Sequence, residues 1–494
     1  MNKTLLYLLY FCAYSTVLLL IGKSSLRDGN TVGQFFLGGR HLSLWRCMAT
    51  FSGTWVSAAS ILSLTGSVYE SGYNVVLYSV FPWFIGAFFL VGISDRLYDN
   101  EILTIPELFY KRFGSKGLQV AYAAVFIAVY IFYLVIQIKG FGVVASTLFD
   151  IPYGISILLV YLFILYTTFG GYRSVTRSDV FNLILLAISI AVLFVTITSR
   201  AGGVLEIHRS AAGISGFAHP GTPYPTEPGG LLRPFGEGLF TPLMNLSMFC
   251  GWGLGLAANP QYTIRMLSAQ NKKTARRTVL CSLGFLALVY FSLIQIGLGM
   301  RVLIPTLSTV SKTDEIITWL INNQLYSAWS GFFLFSIIGA CVSTANSQLL
   351  LIASSFAYDI APAVSRRNLS RESILRLSRL GIFAGGTLSM LLAIDPPDSV
   401  ISYGGDIWGV VAATLFPAMY GTLLFKKVNR TGVWASLLSG LASILLFYPL
   451  YYAGLLRFHP SMPCVAISTA ALAAGSLYAR GKGAGDEIPA EHRA

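Results

Sequence analysis

The chain has 494 residues, 55% of them hydrophobic and 11% charged, with 34 Lys and Arg against 21 Asp and Glu for a net charge of +13. Soluble domains carry about 25% charged residues, so this composition and a mean hydropathy of +0.67 exclude an ordinary soluble domain and describe a polytopic membrane protein. The basic residues sit in short loops between apolar runs rather than on one face of a domain, which argues against nucleic acid as a partner and for charge that reports topology.

Apolar runs of about 20 residues, long enough to cross a bilayer as helices, recur from end to end. The opening run is long and lacks a small-residue cleavage site, so it reads as a retained first helix rather than a signal peptide. The predicted spans are residues 4 to 22, 47 to 69, 74 to 93, 118 to 147, 153 to 169, 179 to 199, 238 to 258, 279 to 304, 328 to 357, 377 to 393, 400 to 425, 432 to 452 and 462 to 479. The expected fold class is thus an all-α polytopic membrane protein of about thirteen transmembrane helices, one transmembrane domain over residues 1 to 480 with a short tail at 481 to 494. Lys and Arg crowd alternate loops, from Lys23, Arg40 and Arg46 through Lys272, Lys273, Arg276 and Arg277 to Lys426, Lys427 and Arg430. The positive-inside rule makes those loops cytoplasmic, in the cell (inner) membrane, with the N-terminus outside and the C-terminus inside. An odd number of crossings requires the same arrangement. The longest outside loop, about residues 200 to 237, is rich in Gly and Pro and is predicted irregular. The stretch "TLSTVSKTDEIITWLINNQ" has an amphipathic helical pattern that can lie across an outer vestibule.

The six cysteines have no C-x-x-C spacing, and the five histidines are expected in loops or the tail. A disulfide framework, a zinc site, a histidine relay and a Ser-His-Asp triad therefore have no support, and neither does an enzyme.

Polar residues inside spans must bond their own backbone, bond a neighbouring helix or line a hydrated site. In "GACVSTANSQLL", Ser343 and Thr344 follow Ala340 by three and four residues, so their oxygens rise on one helical face beside its carbonyl. Asn346 and Ser347 repeat that spacing from Ser343. Back-bonding and small-residue packing account for the same pattern. The second span, "FSGTWVSAASILSLTGSVYESG", and the seventh, "CGWGLGLAANPQ", are dense in Gly and small hydroxyl residues, as expected of helices that break in mid-membrane; packing is the alternative. Lys139 lies about two turns from a helix end, placed to snorkel or to face a cavity. Asp179 precedes an apolar run and reads first as a helix cap.

With those residues in place the chain resembles the sodium:solute symporters along nearly its whole length. "FFLGGRHLSLWRCMAT" is similar to that family's F-x-x-G-G-R loop, and "VSAASILSLTGSVYESGYN" to the broken helix it leads into. "FGGYRSVTRSDVFN" resembles the G-G-x-x-x-V-x-x-x-D segment, "NPQYTIRMLSAQNKKTARR" the P-H-x-x-x-R-x-x-x-A segment and "VSTANSQLL" the S-T-x-x-S-Q-L-L segment, all in family order. The resemblance implies a LeuT-type fold, with inverted repeats at about 47 to 199 and 238 to 425, one helix before them and two after. It implies sodium as the coupling ion, no organic cofactor, and a small solute and the lipid bilayer as partners. Carried over by motif, sodium would be held by the carbonyls of Gly53, Val56 and Ala340 and the hydroxyls of Ser343 and Thr344. In some members a second sodium uses positions matching Asp179 and Ser347; here Asn346 stands where those members have a hydroxyl. Solute would contact Ser57, Ser60, Trp252 and Gly253, with Lys139 a further candidate.

The first half of the chain is more similar to acetate and monocarboxylate members, and "VSTANSQLL" to pantothenate and proline members. Gln261 replaces the family's usual histidine, and Trp55 stands where some members have an acid, which disfavours a proline-like mode using that acid. The function so implied is import of a small organic solute, a carboxylate, by alternating access. Two alternatives stand beside it: a proton-coupled carrier with Asp179 as the protonatable group, and a non-transporting sensor, for whose signalling domain the tail "ARGKGAGDEIPAEHRA" leaves no room.

Overall fold

The structure is a computed structural model that describes residues 3–25, 31–168, 170–325, 329–365, 369–396 and 399–481. The predicted tail, apart from Gly481, lies outside the described residues, as does Arg27 of the first basic loop. Among the described residues, ten helices are long and apolar enough to cross a membrane, and eleven if the bent pair Leu44–Trp55 and Ala59–Ser71 counts as one span. The other two predicted spans are also helical but shorter: Tyr153–Thr168, and a run from Pro242 to Ala258 interrupted by a π-helical segment at Phe249–Gly253. Thirteen is therefore the count of apolar runs, while the helices that meet the length and hydropathy of a span number ten or eleven.

The helices begin where polar side chains can satisfy free N–H groups. Ser115 accepts from Leu118 N–H ahead of Lys116–Phe149, and Asn271 accepts from Thr274 N–H at 2.8 Å ahead of Lys272–Leu303. The polar cap residues sit in the connections and the apolar runs then continue unbroken. The span Ser330–Ser365 is the centre of the molecule: its apolar window is wholly buried, against 22% for the first helix. It packs against Lys116–Phe149 and Gly171–Arg200, while Arg430–Tyr452 and Ser461–Gly481 pair at the periphery.

Three local expectations change. The loop after Arg200 contains a helix, Val204–Ala211, because Val204, Ile207 and Ala211 recur at helical spacing and the last two are buried; the Gly and Pro content that suggested irregular chain belongs to the residues beyond it. Histidine is not confined to loops, since His208 lies in that helix. A Ser-His-Asp array does form: His459 Nε2 is 2.8 Å from Asp406 Oδ1 and Nδ1 is 2.8 Å from Ser461 Oγ, because the chain after Tyr452 folds back over the Val400–Leu424 helix. Ser461 is fully buried and donates to the carbonyl of Ser247 at 2.9 Å, so the array ties helix ends together and presents no nucleophile.

Candidate functional site

The first break occurs at Val56, whose extended backbone (φ −76°, ψ 108°) ends the helix Leu44–Trp55 and turns the chain by 61°. The last regular bond runs from Val56 N–H to the carbonyl of Ser52, and bonding resumes from Ser60 N–H to Ser57, which leaves the carbonyls of Gly53 and Val56 outside the ladder. Buried carbonyls without a backbone donor need another partner. The Ser330–Ser354 helix supplies hydroxyls opposite them: Thr344 Oγ1 donates to the carbonyl of Thr54 at 3.2 Å. Gly53 is the close point, where a Cβ would stand 3.4 Å from Ser343 Oγ and 3.3 Å from the carbonyl of Asp179. A side chain at position 53 would press on both of these oxygens. Gly53 and Thr54 are thus brought against Ser343 and Thr344, while Val56 forms the break itself and Ala340 lies one turn before Ser343 on the facing helix.

Asp179 stands behind this wall. It is not a cap, because its helix begins at Gly171 and the carboxylate lies two turns inside, fully buried. Ser343 Oγ donates to its Oδ1 at 2.6 Å and Thr50 Oγ1 donates to its Oδ2. The guanidinium of Arg265 is 3.6 Å from Oδ2 and also donates to Ser347 Oγ, while its other arm donates to the carbonyl of Gln261 at 2.7 Å. Asn346 turns the opposite way and accepts from Thr167 and Thr168, each at 2.8 Å.

Of the predicted solute residues, Ser60 and Trp252 belong to a packed cluster of aromatic rings, an aromatic chamber. Trp252 packs against Trp83 (centroids 5.1 Å apart) and Trp408 (5.2 Å), and Trp408 against Tyr262 (5.8 Å), which meets Trp55 at 5.2 Å. Ser60 Oγ shares a 2.7 Å hydrogen bond with Tyr290 OH. Ser57 is buried at the break, and Gly253 packs behind the chamber with 3.1 Å from its Cβ position to the carbonyl of Pro82. The chamber holds buried donors without acceptors, the indole N–H groups of Trp83 and Trp252 and the amide of Gln137. A cavity of about 1250 Å³ lies toward the end opposite the basic loops, lined by Ser67, Glu70, Asn74, Tyr78, Ser402 and Arg457. Lys139 neither snorkels nor faces that cavity: it is buried and paired with Asp314 at 2.5 Å, because Asp314 is carried inward by the short helical turn Thr313–Glu315 and also accepts from Val400 N–H at 3.2 Å.

Sequence reasoning gave no site role to Thr50, to Arg265, quoted only within a motif, or to Gln261, noted only as replacing a histidine. Gln261 Nε2 reaches the carbonyl and hydroxyl of Thr54 at 3.0 and 2.7 Å, joining the seventh span to the first break. The signal for Arg265 was available: an arginine one turn after Gln261 in "PQYTIRML", a segment with no acidic residue of its own, is expensive to bury and needs a partner from elsewhere.

Residues 35–440 match the sodium:solute symporter family. A sodium/proline symporter of Staphylococcus aureus is 22% identical over 451 residues, covering 88% of this chain and 84% of that protein. Among solved structures, a substrate-bound, outward-open Na+-coupled sialic acid symporter, described as revealing a novel Na+ site, superposes with a TM-score of 0.78 at 19% identity, covering 96% of this chain and 97% of that one. Mhp1, a nucleobase-cation-symport-1 family transporter in a closed conformation with bromovinylhydantoin bound, gives a TM-score of 0.57 at 14% identity, covering 94% and 98%.

Proposed function

The chain belongs to the sodium:solute symporter family, membrane transporters of the LeuT-type fold that move a solute with sodium, and from that premise we propose that its solute is a small carboxylate. The observation that carries this reading is the set of unpaired donors in the chamber, Trp83, Trp252 and Gln137. Indole N–H groups donate only, so they select acceptor oxygens, and a carboxylate is the strongest small acceptor. The half-helix that restarts after the break adds its N-terminal N–H groups, of which that of Ala58 is turned toward Gln137 Oε1 at 3.4 Å. Proline and sialic acid, the solutes named for two of the relatives, both carry a carboxylate.

In this reading sodium sits between the carbonyls of Gly53, Val56 and Ala340 and the hydroxyls of Ser343 and Thr344. Ser343 already gives its proton to Asp179, so its lone pairs are left for the ion. Sodium then links the broken helix to the Ser330–Ser354 helix and stabilises the arrangement in which Ser57, Ser60 and Trp252 surround the solute. Coupling follows only because both ligands favour that same arrangement; equal affinity for both states would shift nothing. Two inverted repeats, 47 to 199 and 238 to 425, rock about this site, with the N-terminus outside and the basic loops cytoplasmic.

The direct assay is sodium-driven uptake into proteoliposomes over a panel of monocarboxylates, pantothenate, proline, sialic acid and neutral sugars. The expected result is uptake of a carboxylate only with inward sodium, and neutral sugars alone being taken up would refute the reading. Ser343→Ala combined with Thr344→Ala is expected to raise the sodium concentration for half-maximal uptake at least tenfold. Unaltered sodium dependence in that double variant removes the proposed ion site.

A further inference from the structure

We propose that an anionic phospholipid binds in a groove on the bilayer-facing surface, with an acyl chain beside Gly92 and its headgroup on Lys426 and Lys427. The site is separate from those for ion and solute and depends only on the chain spanning a membrane.

The groove, of about 560 Å³, lies between the helices Phe81–Asp99, Val400–Leu424 and Ser461–Gly481, all three of them parts of membrane spans. Small-molecule sites occupy about 300–1,000 Å³, so this is more than a crevice between side chains. It exists because small or cyclic residues stand among large ones. Gly92 leaves one wall open, since a Cβ there would meet nothing within 4 Å. Pro417 and Gly421 thin the opposite wall, and Pro417 has no N–H to complete its helical turn. Between the walls, Phe89 meets Phe416 at 6.1 Å and Tyr420 at 6.3 Å. The Tyr420 hydroxyl is spent elsewhere, donating to the carbonyl of Ala257 at 3.1 Å. A space lined in this way takes hydrocarbon.

One end of the groove is charged, and this selects among lipids. Leu424 and Phe425 line that end, and Lys426 and Lys427 follow directly, both exposed. Arg96 comes four residues after Gly92, hence on the same helical face, and is exposed as well. Asp95 is the acid on that turn, while Asp99, the next, is paired with Lys272 at 2.6 Å. Three basic groups therefore stand against one carboxylate where the hydrocarbon lining stops. An acyl chain tethered to a negatively charged phosphate matches both parts at once. A second copy of this chain is a poorer occupant. In the same bilayer orientation its own Lys426 and Lys427 would lie at the same depth, like charge against like.

The test is native mass spectrometry of the full-length protein, delipidated in detergent and titrated with dioleoyl phosphatidylglycerol or dioleoyl phosphatidylcholine, which share their acyl chains. The wild type is expected to retain one phosphatidylglycerol per chain, with a preference of about tenfold or more over phosphatidylcholine. Lys426→Gln combined with Lys427→Gln is expected to remove most of that preference. Gly92→Phe puts a ring into the open space and is expected to abolish retention of both lipids with melting unchanged. Gly92→Leu fills the same space with less bulk and decides the matter if the Phe variant does not fold. Equal retention of the two lipids by the wild type, or unaltered retention in a folded Gly92 variant, overturns the site. A wild-type dimer that Gly92→Phe dissociates also overturns it, by giving the groove to a second copy. Absence of sodium-driven uptake would bear on the transport reading alone and leave this site in place.

Discussion

The second and seventh spans read alike, each a run of glycine and small residues in an apolar setting, yet the structure uses them differently. In the second, the backbone leaves the helix at Val56 and exposes carbonyls, of which that of Thr54 accepts from the Thr344 hydroxyl. In the seventh, the glycines fall in and beside a π-helical segment and let other chains approach: a Cβ on Gly255 would stand 2.4 Å from the carbonyl of Trp408, and one on Gly86 would stand 2.2 Å from that of Gly253. The departure from helix comes later, at Asn259 before Pro260, and from there Gln261 reaches back to Thr54. Glycine density thus marks two separate needs, room for the close approach of polar oxygens at Gly53 and room for a packed helix at Gly255. What separates them in space is the neighbour: hydroxyls and a carboxylate in one case, backbone and indole rings in the other.

Alanine at one glycine of each span puts that distinction to the test. Gly255→Ala should be the most damaging, because the atom it meets is backbone and cannot rotate away; overpacking of this kind costs roughly 3 kcal/mol or more. Loss of the monodisperse peak on size-exclusion chromatography is the expected readout, and a normal melting temperature would show that the 400–424 helix can move aside. Gly53→Ala should be milder for folding, since its closest contacts would be 3.3 and 3.4 Å, but more specific for sodium. The expected outcome is about a tenfold loss of sodium affinity, equivalent to ~1.4 kcal/mol, with melting almost unchanged. If sodium affinity and melting fall together in Gly53→Ala, the second span is a packing device like the seventh.

The comparison also marks how far the amino-acid pattern could be read. That Ser343 and Thr344 share one helical face was legible because helix spacing is contained in one segment, whereas their partners, Asp179 and the carbonyl of Thr54, were not. Hydropathy located the apolar runs, all of them helical, but not the short helices Ile105–Phe113 and Val204–Ala211, which lie outside those runs. Asp179 was misplaced as a cap because the polar turn Gly171–Ser178 before the apolar run is already helical. The Lys139 partner, Asp314, is 175 residues away, and the aromatic chamber takes Trp83, Trp252, Tyr262, Tyr290 and Trp408 from separate segments. No periodicity within one helix encodes such meetings; they follow from how the spans pack.

The smallest effect is expected at Trp252, where the two functions of the seventh span can be separated within one residue. Its rings pack at 5.1 and 5.2 Å against Trp83 and Trp408, while its N–H has no partner in the fold. Trp252→Phe keeps an aromatic ring and removes the donor. Because that N–H stabilises nothing in the protein itself, its loss should cost the fold little beyond the smaller ring. A hydrogen bond to a carboxylate is worth about 1.5–3 kcal/mol, but other donors remain in the chamber, so the expected change is a threefold to tenfold rise in solute KM with sodium affinity unaltered. Uptake measured at saturating sodium reads this directly. A Trp252→Phe protein with normal KM would confine the seventh span to packing and move the solute toward Ser57 and Ser60, whereas a fall in sodium affinity would mean the two spans are not functionally separate.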